Sequence, residues 1–270
     1  MQVSISDRVL VAGATGGVGQ LVVAKLLEKG FRVRILTRRA EKAQMIFNHQ
    51  VETMVGDTLN PATLLTAVQD ITHIICCTGT TAFPSARWDF DKTQGLLEWV
   101  KLYLNPKAYR AKANNSPEQV DAKGVKNLVA AAPPHLQRFV FISSCGVLRK
   151  QRFPFNILNA FGVLDAKQKG EAAIISSGLP YTIIRPGRLI DGPYTSYDLN
   201  TLLKAKTGGK LGIVVDTGDI LSGNASRIDL AAACVECLSS PITEGKVFEL
   251  VNQGPRPVAI DWEAIFSKLG

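Results

Sequence analysis

The stretch Val9-Leu10-Val11-Ala12-Gly13-Ala14-Thr15-Gly16-Gly17-Val18-Gly19 constrains everything around it. An apolar run breaks into glycines and then resumes with helical spacing at Leu21, Val22, Leu26 and Leu27, and a second apolar run begins near Phe31. That order predicts a strand, a tight loop, a helix and a second strand. Glycines at 13, 16 and 19 let the chain turn sharply, bring backbone N–H groups against a pyrophosphate, and seat the helix close to the strand. The helix N-terminus then faces the anion. The spacing is GxxGxxG rather than GxGxxG, so its weight comes from the strand before it and the amphipathic segment after it. Gly13, Thr15, Gly16, Gly17, Val18 and Gly19 are therefore expected to bind a dinucleotide, against the plainer reading of a glycine-rich strand-to-helix turn.

Beyond the loop the pattern keeps alternating. Strands are expected near 31–37, 51–55, 72–77, 138–143 and 180–185, and helices near 40–47, 61–69, 118–132 and 160–177. Such alternation predicts an α/β fold with a parallel, doubly wound sheet, whose strand carboxyl ends meet at one edge where ligands bind. The chain reads as a single domain over 1–270. A less regular tail over 186–270, with strands at 212–215 and 246–250 and helices near 227–239 and 261–269, is expected to form a small substrate-side lobe. Residues 81–117 break the rhythm. They hold Trp88, Trp99, Tyr103 and Tyr109 and one helical apolar face at Leu96, Leu97, Val100 and Leu104, and they read as an insertion.

Several strand ends carry candidate chemistry. The second strand closes on Thr37-Arg38-Arg39, where an acid would accept the ribose hydroxyls of NAD. Guanidinium groups pair with phosphate, so this end predicts the 2′-phosphate of NADP(H), with a solvated basic turn as the plainer alternative. Asp57, followed by Thr58, comes after the third strand near the expected adenine amino group, and is also expected to cap the next helix. Cys77, Thr78 and Gly79 close the fourth strand with small residues that let a cofactor approach.

Composition excludes more than it assigns. The first residues lack a basic and then apolar leader, and no apolar run reaches membrane-span length, so the chain is expected in the cytoplasm, or in the chloroplast stroma if a transit peptide has been removed. Five cysteines, an odd number, do not suggest a disulfide framework, and Cys234-x-x-Cys237 lies in a helical pattern as buried packing rather than a metal or redox site. No metal is expected. The net charge of +8 suits a phosphorylated cofactor, and no basic–aromatic stripe supports nucleic-acid binding. Over 83–117 six basic residues stand against three acids. That surplus predicts an acidic protein partner or a peripheral membrane contact, the other partner expected being a small-molecule substrate.

The glycine loop, the arginine-ended second strand, Gly56-Asp57, Val120-Asp121-x-x-Gly124-Val125-x-Asn127-Leu128, Phe139-Val140-Phe141-Ile142-Ser143-Ser144 and Tyr181-Thr182-Ile183-Ile184-Arg185-Pro186-Gly187 cover most of 8–250. With these pieces the chain resembles the atypical short-chain dehydrogenase/reductases, in particular the NmrA-like NAD(P)H-binding group of cyanobacteria and chloroplasts. The resemblance implies a Rossmann fold. In the wider family a serine after the fifth strand and a YxxxK pair on the next helix carry hydride-transfer chemistry, the tyrosine as acid and the lysine lowering its pKa and holding the nicotinamide ribose. Lys167 fits the lysine and Ser143 and Ser144 the serine, while Val163 stands where the tyrosine belongs. Pro186 and Gly187 would border the carboxamide, and Tyr194 and Tyr197 offer a replacement acid. Two expectations follow: an NADP-dependent oxidoreductase on an unidentified substrate, or a non-catalytic NADP(H)-binding scaffold, sensor or assembly factor for a photosynthetic complex.

Overall fold

Val9 and Val11 of strand β1 (Arg8–Ala12) are fully buried in one apolar cluster, and Leu10 and Ala12 are fully buried in another. A strand apolar on both faces requires cover on both faces. The computed structural model, which describes residues 7–80, 82, 113–190 and 210–270, supplies it. On the first face lie helices α1 (Gly17–Glu28) and α2 (Ala40–Phe47), with Leu21, Val22, Leu26, Ala43 and Phe47 packed beside Val9 and Val11. On the second lies α3 (Pro61–Ala67), together with α4 (Gly124–Ala131), which continues a π-helical turn over Glu118–Lys123; Leu64, Val125 and Leu128 are their core residues.

The sheet runs β3 (Glu52–Val55), β2 (Arg32–Thr37), β1, β4 (His73–Cys76), β5 (Arg138–Ile142), β6 (Tyr181–Pro186), then β10 (Lys246–Pro255) and β8 (Leu211–Asp216). A short ribbon pairs β7 (Arg188–Leu189) with β9 (Asn224–Ala225). Strand order reverses at β1, which lies in parallel register between β2 and β4, Ala12 facing Leu36 on one side and Cys76 on the other. The reversal opens a crevice outside the carboxyl ends of β1 and β4.

The sheet is parallel as far as β10, and then β8 joins antiparallel, a departure from the all-parallel expectation at its edge. The described parts of 186–270 extend this same sheet. Helix α7 (Arg227–Glu236) shares the α1 core through Leu230, Ala231 and Cys234, and α8 (Trp262–Phe266) packs there through Phe266. Two elements were not expected from the sequence: the turn of helix α5 (Phe155–Leu158) and the β7–β9 ribbon. The helix expected from residue 160 is α6 (Val163–Ile175); it starts later because Gly162 takes a left-handed φ of 78°. The apolar stretch at 94–104 and Tyr194 and Tyr197 lie outside the described residues.

Candidate functional site

The three glycines of the loop do three different things. Gly13 has φ +81°, and a Cβ there would stand 2.8 Å from the backbone of Cys77 and Thr78, so glycine lets the loop touch the end of β4. A Cβ on Gly19 would stand 2.2 Å from the Gly13 carbonyl, so glycine lets α1 approach β1. Gly16 is exposed, and a Cβ there would meet only the Gly13 carbonyl, at 3.3 Å. This exposed position borders the start of α1, whose Gly16 cap offers no side chain and whose first turn carries no acid. The first-turn N–H groups have no helical acceptor and suit an anion. Gly16 N–H donates to the Gly13 carbonyl at 3.0 Å, and buried Gln20 donates from Nε2 to the Thr15 carbonyl at 3.1 Å. Gln20 therefore braces the loop, a role its place in a helical repeat did not signal. Thr15 and Val18 are half-buried along the same edge.

At the end of β2, Thr37 is buried, and its Oγ1 accepts from Arg39 N–H at 3.2 Å, which sets the turn. Arg38 and Arg39 leave that turn exposed. Arg38 Nη1 lies 3.9 Å from the Asp57 carboxylate, so the two candidate adenosine-side groups face each other. The expected capping role of Asp57 is corrected. Its Oδ1 accepts from Leu59 N–H at 2.9 Å, closing its own turn, while Asn60 caps α3 by accepting from Ala62 N–H. Thr58 is buried under Gly124, and its carbonyl accepts from Asn127 Nδ2 at 2.9 Å. The Asp121-x-x-Gly124-x-x-Asn127 spacing thus moors α4 to the adenosine-side loop.

On the opposite side, Cys77 and Thr78 are half-buried and Gly79 is exposed beside the glycine loop. Lys167 is buried, and its Nζ contacts Asp121 Oδ1 at 2.8 Å and the carbonyls of Ile142 at 2.7 Å and Thr78 at 3.2 Å. Three partners use the three donors of an ammonium group. Lys167, the residue expected to hold the ribose, braces the ends of β4 and β5 and the π-helical turn. Asp121, fully buried, also accepts from Thr80 N–H at 3.2 Å. Burial pushes its carboxyl up from the usual range, against the opposing pull of the Lys167 charge.

Ser143 is the residue expected beside the nicotinamide. Its Oγ is buried and donates to Glu171 Oε1 at 2.5 Å, and Arg185 grips the same carboxylate through Nε at 2.9 Å and Nη2 at 2.7 Å. It is a structural tie between β5, α6 and β6. Ser144 is half-buried, and its Oγ bonds the Cys145 carbonyl. Val163 sits in a small apolar cluster with Val147 and Leu164, so the position of the family tyrosine is packed, not polar. The Pro186 carbonyl accepts from Cys145 N–H at 2.9 Å, and Gly187 passes within close reach of Gly223, which would meet a Cβ there.

A second polar knot shapes this side. Asp219, fully buried at φ +59°, accepts from Gly146 and Leu148 N–H at 2.7 Å each and from Arg149, while Glu249 accepts from Asp219 N–H at 2.9 Å and Ile220 N–H at 2.8 Å. It fixes the strap 145–155 against the 217–222 loop. No local pattern signals it, because the residues it joins lie about 70 positions apart. Cys234 and Cys237 are buried, and burial raises both thiols, Cys237 to about 12, so they are protonated packing groups as expected. Among the described residues no cluster of three or more His, Cys, Asp or Glu has metal-binding geometry, and no helix is long and apolar enough to cross a membrane.

A family model described as NAD(P)H-binding matches residues 13–241. Sanguinarine reductase of Eschscholzia californica is 29% identical, covering 97% of this chain and 95% of that protein. The photosystem II assembly factor Ycf39 of Trieres chinensis is 27% identical over 90% of this chain, which spans 63% of that relative. The solved structure of the oxidoreductase ylbE of Lactococcus lactis shares the fold, with a TM-score of 0.66 and 19% identity over 97% of this chain and 96% of that one.

Proposed function

The chain belongs to the NAD(P)H-binding family of short-chain dehydrogenase/reductase-like proteins, and from that premise we propose that it prefers NADP(H) and uses it to reduce an unidentified substrate. The glycine loop at the reversal of strand order carries this reading, because Gly16 is exposed at the start of α1, where the first-turn N–H groups have no helical acceptor. Gly13, Thr15, Gly16, Gly17, Val18 and Gly19 would hold the pyrophosphate, Arg38 and Arg39 the 2′-phosphate, Asp57 and Thr58 the adenine, and Cys77, Thr78, Gly79, Pro186 and Gly187 the nicotinamide half. The bound cofactor would supply a hydride. Val163 brings no proton, and Ser143 and Lys167 are spent on Glu171, Asp121 and strand-end carbonyls. These ties give the crevice fixed walls, and Ser144 is the remaining family position that borders it.

The reading is tested by titrating the protein with NADPH and NADH and then following NADPH oxidation against a panel of hydrophobic carbonyl, quinone and imine acceptors. Tight NADPH binding with turnover supports it; turnover with neither cofactor removes the catalytic half. The packed Val163 favours a second reading, a nucleotide-binding scaffold or sensor without chemistry. The name of the assembly-factor relative fits that role. In that case NADPH binds and nothing turns over. The basic 83–117 stretch is then the proposed contact for an acidic partner.

A further inference from the structure

Arg227, the first residue of α7, is 4% exposed and lies against the glycine loop. A Cβ on Gly17, the first residue of α1, would stand 3.4 Å from both Cδ and Nε of Arg227. The arginine stem therefore lies at van der Waals contact with the start of the helix whose first-turn N–H groups face the crevice. Its neighbours hold it there. Ser226 Oγ caps α7 by accepting from Ile228 N–H at 3.2 Å, and Ser226 N–H donates to Asn252 Oδ1 at 2.6 Å. Asp229, the acid of that first turn, is bonded to both terminal nitrogens of Arg256 at 2.9 Å and to Asn252 Nδ2 at 2.7 Å. Arg227 thus brings a cation to the start of α1, where the first-turn N–H groups suit an anion.

We propose that Arg227 is an anchoring residue for the diphosphate of the nucleotide, an inference that rests on the cofactor reading above. Its charge acts on the group NADH and NADPH share, whereas Arg38 and Arg39 act on the 2′-phosphate alone. Because α7 is tied to β10 through Asn252, the same contact couples the C-terminal part of the sheet to the loop after β1.

The test uses the full chain with Arg227→Gln and Arg227→Lys, measuring affinities for NADPH, NADH, ADP and adenosine beside thermal melts. Arg227→Gln is expected to weaken NADPH, NADH and ADP alike, by about tenfold or more, and to leave adenosine unchanged. Arg227→Lys keeps the charge and recovers part of the loss even if Arg227→Gln folds poorly. Parallel loss of adenosine, or unchanged ADP affinity, would overturn the assignment and leave Arg227 a packing residue. Failure of the wild-type chain to bind any of the dinucleotides would instead sink the cofactor reading, and the two failures separate in the wild-type titration.

Discussion

Single residues of the glycine loop divide the work of folding from the work of binding. Gly16 is extended, with φ −83° and ψ 167°, conformations a valine adopts readily, and a Cβ there would meet only the Gly13 carbonyl, at 3.3 Å, which asks that carbonyl to give by a few tenths of an ångström. Gly16→Val should therefore melt close to wild type while losing cofactor fluorescence enhancement, because its methyls stand at the exposed start of α1. Gly19→Ala should do the reverse first: its Cβ would overlap the Gly13 carbonyl, so the chain should lose about 2 kcal/mol of stability in urea whether or not cofactor is present. If Gly16→Val keeps its affinity, the loop is not the phosphate site. The arginines at the end of β2 belong to the same scale. Arg38→Ala with Arg39→Ala should weaken NADPH binding by about 1.5 kcal/mol or more and leave NADH nearly unchanged, the low end applying because both side chains are exposed. Equal losses for the two cofactors in a titration would remove the 2′-phosphate assignment.

At the scale of elements, Lys167 shows what a sequence pattern can and cannot say. Its place on α6 was legible, four residues after Val163, but its partners were not, because Asp121, Thr78 and Ile142 come from three other parts of the chain. The element order from β1 to β6 was legible for a physical reason: strands buried on both faces read as unbroken apolar runs, and amphipathic helices show a 3.6 period. The antiparallel β8 and the β7–β9 ribbon were not, since pairing direction leaves no local trace in a short strand. Ser143 illustrates the same limit at a catalytic-looking position, where the acid that claims its hydroxyl, Glu171, lies 28 residues on. The cross-brace yields a prediction. Lys167→Met strands a fully buried carboxylate, and should cost about 3–5 kcal/mol in urea unfolding. Adding Asp121→Asn should restore part of it, since the two side chains form one unit. Full stability in Lys167→Met, with loss of cofactor affinity alone, would instead make it a ribose-binding group.

The whole molecule separates its tasks between the two ends of the sheet. The carboxyl ends of the strands hold the crevice, and the amino ends hold polar groups that serve only folding. Arg138, buried at the start of β5, bonds Thr182 at 3.1 Å and pairs with Glu244 at 2.9 Å, and His73 at the start of β4 is buried beside it. The His73 ring meets Thr72 Oγ1 at 2.8 Å through Nδ1 and stands edge-on to Phe31. Burial lowers its pKa from the usual 6.5, opposed by Asp7 and reinforced by Arg138. The unfolded chain therefore binds a proton near pH 6.5 that the folded chain refuses until a lower pH. Stability rises with pH across that window and is lost as pH falls through it, with a slope of at most about 1.4 kcal/mol per pH unit. Urea unfolding at several values between pH 5 and 8 should show wild type losing stability on acidification relative to His73→Phe, which keeps an aromatic ring and cannot titrate. Cofactor affinity per folded molecule should not follow this loss, because His73 lies at the amino end of β4, away from the crevice at the carboxyl ends. A constant stability gap between the two proteins across the range would show that His73 is not the group that senses acid.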